Sequence, residues 1–358
     1  MSKFLDVFED VTKKGKKIPT DEYLPTGRFP IIDQGQAQIS GYCDNKSGIF
    51  DDVPALIFGD HTRVIKYIDE PFFLGADGVK LLKAKDKSSD YKYLYYALCS
   101  AKIPNTGYNR HFKWLKETEI PVPSLEIQHQ IAETLDKATH LIDLCNRILD
   151  RLDLLVKAQF VEMFGDPSVN EKSYPIKPLS EIAEYWNGLT YKPADVSEVG
   201  TIVLRSSNIQ NSRLDFNDIV RVSCKIGDKK YVQKNDILMC SRNGSAKLVG
   251  KVALIGEISE PMSFGAFMMI IRSKYFPYLM TYFQLPAFRT QIITGATTTI
   301  NQITGNMLNK VMLPVPDTNT VNQFDTFVKQ SDKSKSAVKK VLDKAEMLKK
   351  ALMQQYFG

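Results

Sequence analysis

The sequence predicts a mixed α/β (α+β) fold of two similar globular domains separated by two long antiparallel coiled-coil helices, a pseudo-twofold internal repeat. Three observations carry this reading. Met163-Phe164-Gly165 returns as Tyr356-Phe357-Gly358 after 193 residues, and the same offset moves Pro121-Val122-Pro123 onto Pro314-Val315-Pro316. Each copy holds short β-rich runs bounded by Gly, Asp or Pro. From Glu126 to Phe164 there is neither Gly nor Pro, and apolar residues fall in alternating steps of four and three, as in a coiled-coil seam. A chain that repeats itself presents two similar surfaces, which suits a partner that is itself bipartite.

The elements follow in order. Residues 1–123 form a first domain, with strands expected at Phe29 to Ile32, Ala55 to Phe58, Val64 to Ile68 and Val79 to Leu82, then an aromatic helix at Tyr91 to Ser100. Residues 124–165 form the first spacer helix. Its seam is Ile131, Ala138, Cys145 and Leu152 on one line and Leu135, Ile142, Leu149, Val156 and Met163 on the other. Residues 166–316 repeat the rhythm, with strands expected at Thr201 to Leu204, Ile237 to Cys240, Val252 to Ile255 and Phe267 to Ile271, and a helix at Tyr278 to Phe283. Pro71 and Gly75-Ala76 return as Pro261 and Gly265-Ala266 at the slightly different offset of 190, as expected if surface loops have gained or lost residues. Residues 317–358 form the second spacer helix. It keeps Phe324, Val338, Ala345 and Leu352 on one line and Val328, Leu342 and Tyr356 on the other, but places Lys335 and Lys349 among them. Its seam should therefore narrow and shift toward Val341 and Leu348. Each helix would be roughly 55–60 Å long. Pairing the two antiparallel is the economical arrangement; independent dimerisation arms are the alternative.

Composition narrows the function. The 358 residues are 25% charged and 43% apolar, which is ordinary for packed domains. A net charge of +6 permits a polyanionic partner without requiring one. Cys43, Cys99, Cys145, Cys224 and Cys240 show no metal-like spacing and fit free thiols in a reducing cytoplasm. No run approaches the ~20 apolar residues of a membrane span, and Met1-Ser2-Lys3-Phe4-Leu5-Asp6 lacks a signal-peptide core. Motifs for catalysis are missing. Gly244 to Gly250-Lys251 is one residue too long for a phosphate loop, and Val252 replaces its hydroxyl residue. His61, His111, His129 and His140 have no recurring carboxylate or thiol around them, and Asp166 with Glu171-Lys172 has the wrong spacing for a nuclease.

Several loops do combine cations, amides and hydroxyls, the groups that reach phosphates and base edges. In the first copy they offer Lys16, Lys17, Gln36, His61, Arg63, Asn109 and Arg110. In the second they offer Lys192, Arg205, Asn208, Arg242, Asn243, Ser245, Lys247 and Thr298. Any one of these is equally an ordinary polar turn. Position lifts the set: Arg63 and Arg242 each follow a strand of the corresponding core, and the Tyr108 and Thr297 loops each precede a Pro-Val-Pro exit.

The order of a globular part, Ile120-Pro121-Val122-Pro123, Gln130-Ile131-Ala132 and Phe164-Gly165-Asp166 resembles type I restriction–modification specificity subunits. So do Asp236-Ile237-Leu238, Ser241-Arg242-Asn243-Gly244-Ser245 and Leu313-Pro314-Val315-Pro316 in the second copy. The resemblance spans essentially the whole chain; its motifs are short, and their recurrence in order is what makes them specific. It implies two target recognition domains, each reading half of a gapped double-stranded DNA site, and helices that set the spacing. It also implies docking of two methylation subunits, recruitment of restriction subunits, and a complex using S-adenosylmethionine, ATP and magnesium that this non-catalytic subunit does not itself bind. Two departures stand out. The chain starts directly in the first domain, without the extra N-terminal segment of many members, and Gln323-Phe324-Asp325 replaces the Gln-Ile-Ala start in the second helix. A coiled-coil scaffold whose ends bind proteins is the alternative from another class; a self-contained methyltransferase or nuclease lacks its motifs.

Overall fold

The computed structural model describes residues 1–75, 77–292 and 301–358. The chain divides into two compact units, residues 1–147 with 338–358, and residues 148–337. Both long helices therefore contribute to each unit.

The first unit is built on a four-stranded antiparallel sheet in the order Phe8–Asp10, Val79–Ala84, Ala55–Gly59, Ile65–Ile68. Ala55–Gly59 is buried along its whole length, which is why it reads as an unbroken apolar run rather than an alternating one. A second sheet pairs Phe29–Ile32 antiparallel with Gly41–Cys43 and parallel with Phe73–Leu74. The second unit repeats this plan. Its sheet order is Glu184–Asn187, Met268–Arg272, Ile237–Cys240, Val252–Leu254, again antiparallel throughout. Its Thr201–Leu204 lies parallel to Met262–Phe264, as Phe29–Ile32 does to Phe73–Leu74. The inner strands and the helices Tyr91–Cys99 and Phe276–Tyr282 stand within a few residues of their expected positions.

Each globular part is also closed at its stem. Ser2–Lys3 pairs antiparallel with Glu119–Ile120, and Ile176–Pro178 pairs antiparallel with Met312–Pro314. Chain entry and chain exit are thus held together before the long helix begins.

The long helices are Leu125–Phe164 and Thr318–Phe357, 40 residues each. In the first unit Ile131, Ala132 and Leu135 enter the core, and Leu352, Met353, Tyr356 and Phe357 pack against it. Ala138, Cys145 and Ala345 are buried, while Ile142, Val338, Leu342 and Leu352 are half-buried. In the second unit Phe160 and Phe164 meet Phe324, with Val156 and Val328 alongside; Leu149 and Leu152 are half-buried. The start of one helix meets the end of the other in each unit, so the two segments run antiparallel there.

One expectation is corrected. Val341 and Leu348 are exposed, and the seam does not move onto them. Lys335 stays on the seam with its side chain 8% exposed, because its ammonium reaches Asp153 at 2.5 Å and Asp332 at 3.8 Å. A lysine stem packs like an apolar side chain once its charge has a partner at the rim.

The sequence anchors of the repeat meet at a single tyrosine in each unit. Tyr93 donates its hydroxyl to the Pro121 carbonyl at 2.8 Å and lies 5.5 Å from the ring of Phe357. Tyr278 donates to the Pro314 carbonyl at 2.8 Å and lies 5.0 Å from Phe164. Burial pushes the Tyr93 hydroxyl up to about 12, so it remains a donor at any physiological pH. The domain helix, the domain exit and the terminal turn of a long helix are thereby tied together twice.

Candidate nucleic-acid interface

In the second unit the candidate surface grows from the end of the strand Ile237–Cys240. Ser241 is buried; its N–H donates to the Phe267 carbonyl at 2.9 Å and its carbonyl accepts from Ile303 at 2.7 Å. That fixes the base of the turn and leaves Arg242 exposed, with its guanidinium 5.4 Å from the ring centroid of Phe267 and no ion pair among the described residues. Asn243 shapes the turn by accepting from the Ser245 N–H at 2.9 Å and donates to the Ser206 hydroxyl at 3.1 Å. This second bond joins the Arg242 turn to the Arg205–Asn208 turn at the end of Thr201–Leu204. Four candidates from separate parts of the sequence are thus brought together: Arg205, Asn208, Arg242 and Asn243.

They are not equivalent. Arg242 is free to meet a ligand. Arg205 is half-buried and paired with Asp218 at 2.7 Å. Asn208 is corrected from a DNA contact to a loop-shaping residue. It is 1% exposed, accepts from the Arg205 N–H at 2.8 Å and donates to the carbonyls of Asp215 and Asp218 at 2.9 Å each. Ser245 and Lys247 are exposed on the same loop as Arg242. Lys192 is exposed, and its own N–H is capped by Asp195 at 2.7 Å; no described contact joins it to the other candidates. Thr298, with Thr297, lies outside the described residues, as does Ala76.

In the first unit the turn after Ala55–Gly59 occupies the corresponding place. Arg63 holds a left-handed φ of 62°, uncommon outside glycine, with its N–H on the Gly59 carbonyl at 2.7 Å. Its guanidinium donates to the Ile103 carbonyl at 3.3 Å and, with Gln36, Thr62 and Leu98, lines a cavity of about 370 Å³. Gln34 gathers this region: it accepts from the His61 N–H at 3.1 Å and donates to the Asp77 carbonyl at 3.1 Å. Asp77 in turn pairs with Lys17 at 3.1 Å, so Lys17 and His61 share one framework, whereas Lys16 donates to the Ser47 carbonyl.

His111 is a buried pin. Its N–H and ring Nδ1 both lie on the Asp60 carbonyl, at 2.7 and 3.0 Å, while Asp60 accepts from the Phe112 N–H at 2.7 Å. The pin holds the 105–110 loop, where Asn109 donates to the Thr106 carbonyl at 2.6 Å. Arg110 is exposed beyond it, without an ion pair among the described residues. Sequence reasoning named this loop but did not single out Tyr108, a large aromatic left 87% exposed. A large aromatic next to a glycine in a polar loop was the available signal.

Among the described residues no group of three or more His, Cys, Asp or Glu could hold a metal, and no helix is long and apolar enough to cross a membrane. What the surface offers is cations, amides and hydroxyls on rigid turns at strand ends, which is binding chemistry rather than bond-making chemistry.

Comparison with known proteins agrees. Residues 1–154 match the family model described as the type I restriction modification DNA specificity domain. The specificity subunit of the Escherichia coli type I enzyme EcoR124I/EcoR124II is 26% identical over 188 residues, 48% of this chain and 45% of that protein. The MjaVIII specificity subunit of Methanocaldococcus jannaschii is 25% identical over 279 residues, 69% of this chain and 65% of that one. These alignments span less than two thirds of the relatives' lengths. The crystal structure of an M. genitalium type I S subunit shares the fold, with a TM-score of 0.63 at 19% identity over 99% of this chain and 95% of that one. Residues 1–154 are thus similar to a type I specificity domain, and the fold of the chain is that of the solved S subunit.

Proposed function

We propose that the chain is the non-catalytic, sequence-reading subunit of a type I restriction–modification complex, each globular domain contacting one half of a split duplex target. The observation that carries this reading is the recurrence of one strand framework bearing different loops at corresponding strand ends: the tight turn at Arg63 in one unit and the longer Arg242 turn in the other. A common scaffold with divergent polar loops reads two different half-sites. The relatives are named as specificity subunits, which supports the same role.

The long helices suit a spacer and a docking surface for methylation subunits. Their outward faces keep apolar side chains in water, among them Leu141, Leu144 and Met347 in the first unit and Leu154, Leu155 and Val161 in the second. Exposed apolar rows of this kind favour a protein partner. Restriction subunits would join the same assembly in the cytoplasm. S-adenosylmethionine, ATP and magnesium would be held by those partner subunits.

Methylome sequencing of a host expressing this chain with its methylation subunit tests the reading. One gapped motif, methylated on both strands, is the expected result. Methylation without sequence preference, or at an ungapped motif, would refute it.

A further inference from the structure

Tyr108 is 87% exposed at the tip of its loop, yet it is held in place. Its ring lies on that of His61, with centroids 4.6 Å apart and planes 8° from parallel. His61 Nδ1 is enclosed and has no hydrogen-bond partner among the described residues, so ring packing on Tyr108 is what holds that face of the imidazole. Both rings ride on one support. His61 follows Asp60 directly, and Asp60 is the residue onto which buried His111 locks the far end of the Tyr108 loop. An aromatic of this size left in water contributes little to folding, and a rigid second ring behind it makes a flat, pre-positioned apolar face.

We propose that Tyr108 reads the 5-methyl group of a thymine in the half-site of the first domain, with His61 as the positioning residue behind it. This rests on the function proposed above. In the major groove of an intact duplex the thymine methyl is the one apolar feature on any base edge, so an apolar side chain selects for it. An extrahelical base would instead require an enclosing slot. The tip of this loop is open: nothing lies within 4 Å of a Cβ built on the neighbouring Gly107. Arg110, two residues on and exposed, is placed to take a flanking phosphate.

The test uses the chain in complex with its methylation subunit and duplexes carrying its own methylated motif. Thymines of the first half-site are replaced singly by deoxyuridine, which removes only the methyl group, and dissociation constants are measured. Wild type should lose about fourfold at one position, the value of one buried methyl group. Tyr108→Ala should bind the unmodified duplex about that much more weakly and no longer distinguish thymine from deoxyuridine. His61→Ala should behave like Tyr108→Ala, and His61→Phe, which keeps a ring behind Tyr108, should restore the discrimination. Unchanged preference at the second half-site reports that each variant is folded. A first half-site with no thymine on either strand, or wild type indifferent to every replacement, overturns the proposal. So does a Tyr108→Ala complex that keeps the discrimination, or 2-aminopurine fluorescence showing a base flipped onto Tyr108. Absence of any sequence-specific binding by wild type would overturn the parent reading as well, whereas specific binding without methyl dependence overturns this one alone.

Discussion

Asn208→Ala separates residues that shape the interface from residues that touch DNA. Asn208 is 1% exposed and partners three main-chain groups: the Arg205 N–H and the carbonyls of Asp215 and Asp218. Leaving a buried polar group unpaired costs roughly 1–3 kcal/mol. Asp218 is exposed and Asp215 half-buried, so water can reach part of what the amide leaves behind. The net destabilisation should therefore be about 2–3 kcal/mol rather than three full penalties. For a unit of this size that lowers the melting temperature by roughly 4–12 °C, measurable by differential scanning calorimetry. Binding should weaken across the whole second half-site, because Ser206 in the same turn carries the bond to Asn243. A variant that melts with wild type and relaxes only one base position would show that Asn208 reads DNA, and this account of the turn would be wrong.

Arg242→Ala should relax one position of the second half-site by roughly 5- to 150-fold in the ratio of right to wrong base, with melting unchanged; an equal loss on every sequence would instead assign Arg242 to a phosphate. Lys247→Ala should give that uniform loss and reduce the slope of log affinity against log salt by about 1, as one released counterion requires; an unaltered slope would remove Lys247 from the interface. On the helix seam, Asp153→Ala should destabilise the second unit by about 1–2 kcal/mol, less than a fully buried pair because Asp153 is 63% exposed, whereas Lys335→Met should be neutral or stabilising; equal losses in a denaturant titration would mean that the lysine is needed for more than filling the seam. Exchanging residues 1–122 for the corresponding part of a relative should change only one half of the methylated motif, since Ser2–Lys3 and Glu119–Ile120 close that part on itself; a change in both halves would deny the domains their independence.

The sequence was most legible where burial is uniform. Ala55–Gly59 and Ile237–Cys240 are buried at every position, so their runs stand out as apolar. The outer strands Phe8–Asp10 and Glu184–Asn187 were missed because they are partly exposed and held by main-chain pairing, which has no side-chain signature. Lys335 was misjudged because a charge on a seam signals a shifted seam unless its partner is known, and Asp153 lies far away in sequence. The same difficulty governs the interface: Asn208 and Asn243 look alike as residues in polar turns, and only the fold reveals that one is enclosed by carbonyls while the other bridges two turns.

A physical rule separates what recurred in this chain from what did not. The Pro-Val-Pro exits and the Phe-Gly helix ends recur because each pair meets at a tyrosine that must reach a proline carbonyl and a phenylalanine ring together. Losing the tyrosine hydroxyl leaves that carbonyl without its donor, and losing the phenylalanine ring opens the packing beside the tyrosine, so both copies are held to the same solution. Loops at the strand ends carry no such obligation once their bases are pinned, by Asp60 and His111 in one unit and by Ser241 in the other. Their exposed residues, Tyr108 and Arg110 against Arg242 and Lys247, can diverge without cost to folding. Divergence confined to pinned, exposed turns on an unchanged frame is what two half-sites of different sequence require. The recurring motifs therefore mark the architecture, and the positions at which the repeat fails are where the proposed reading of two half-sites is to be tested.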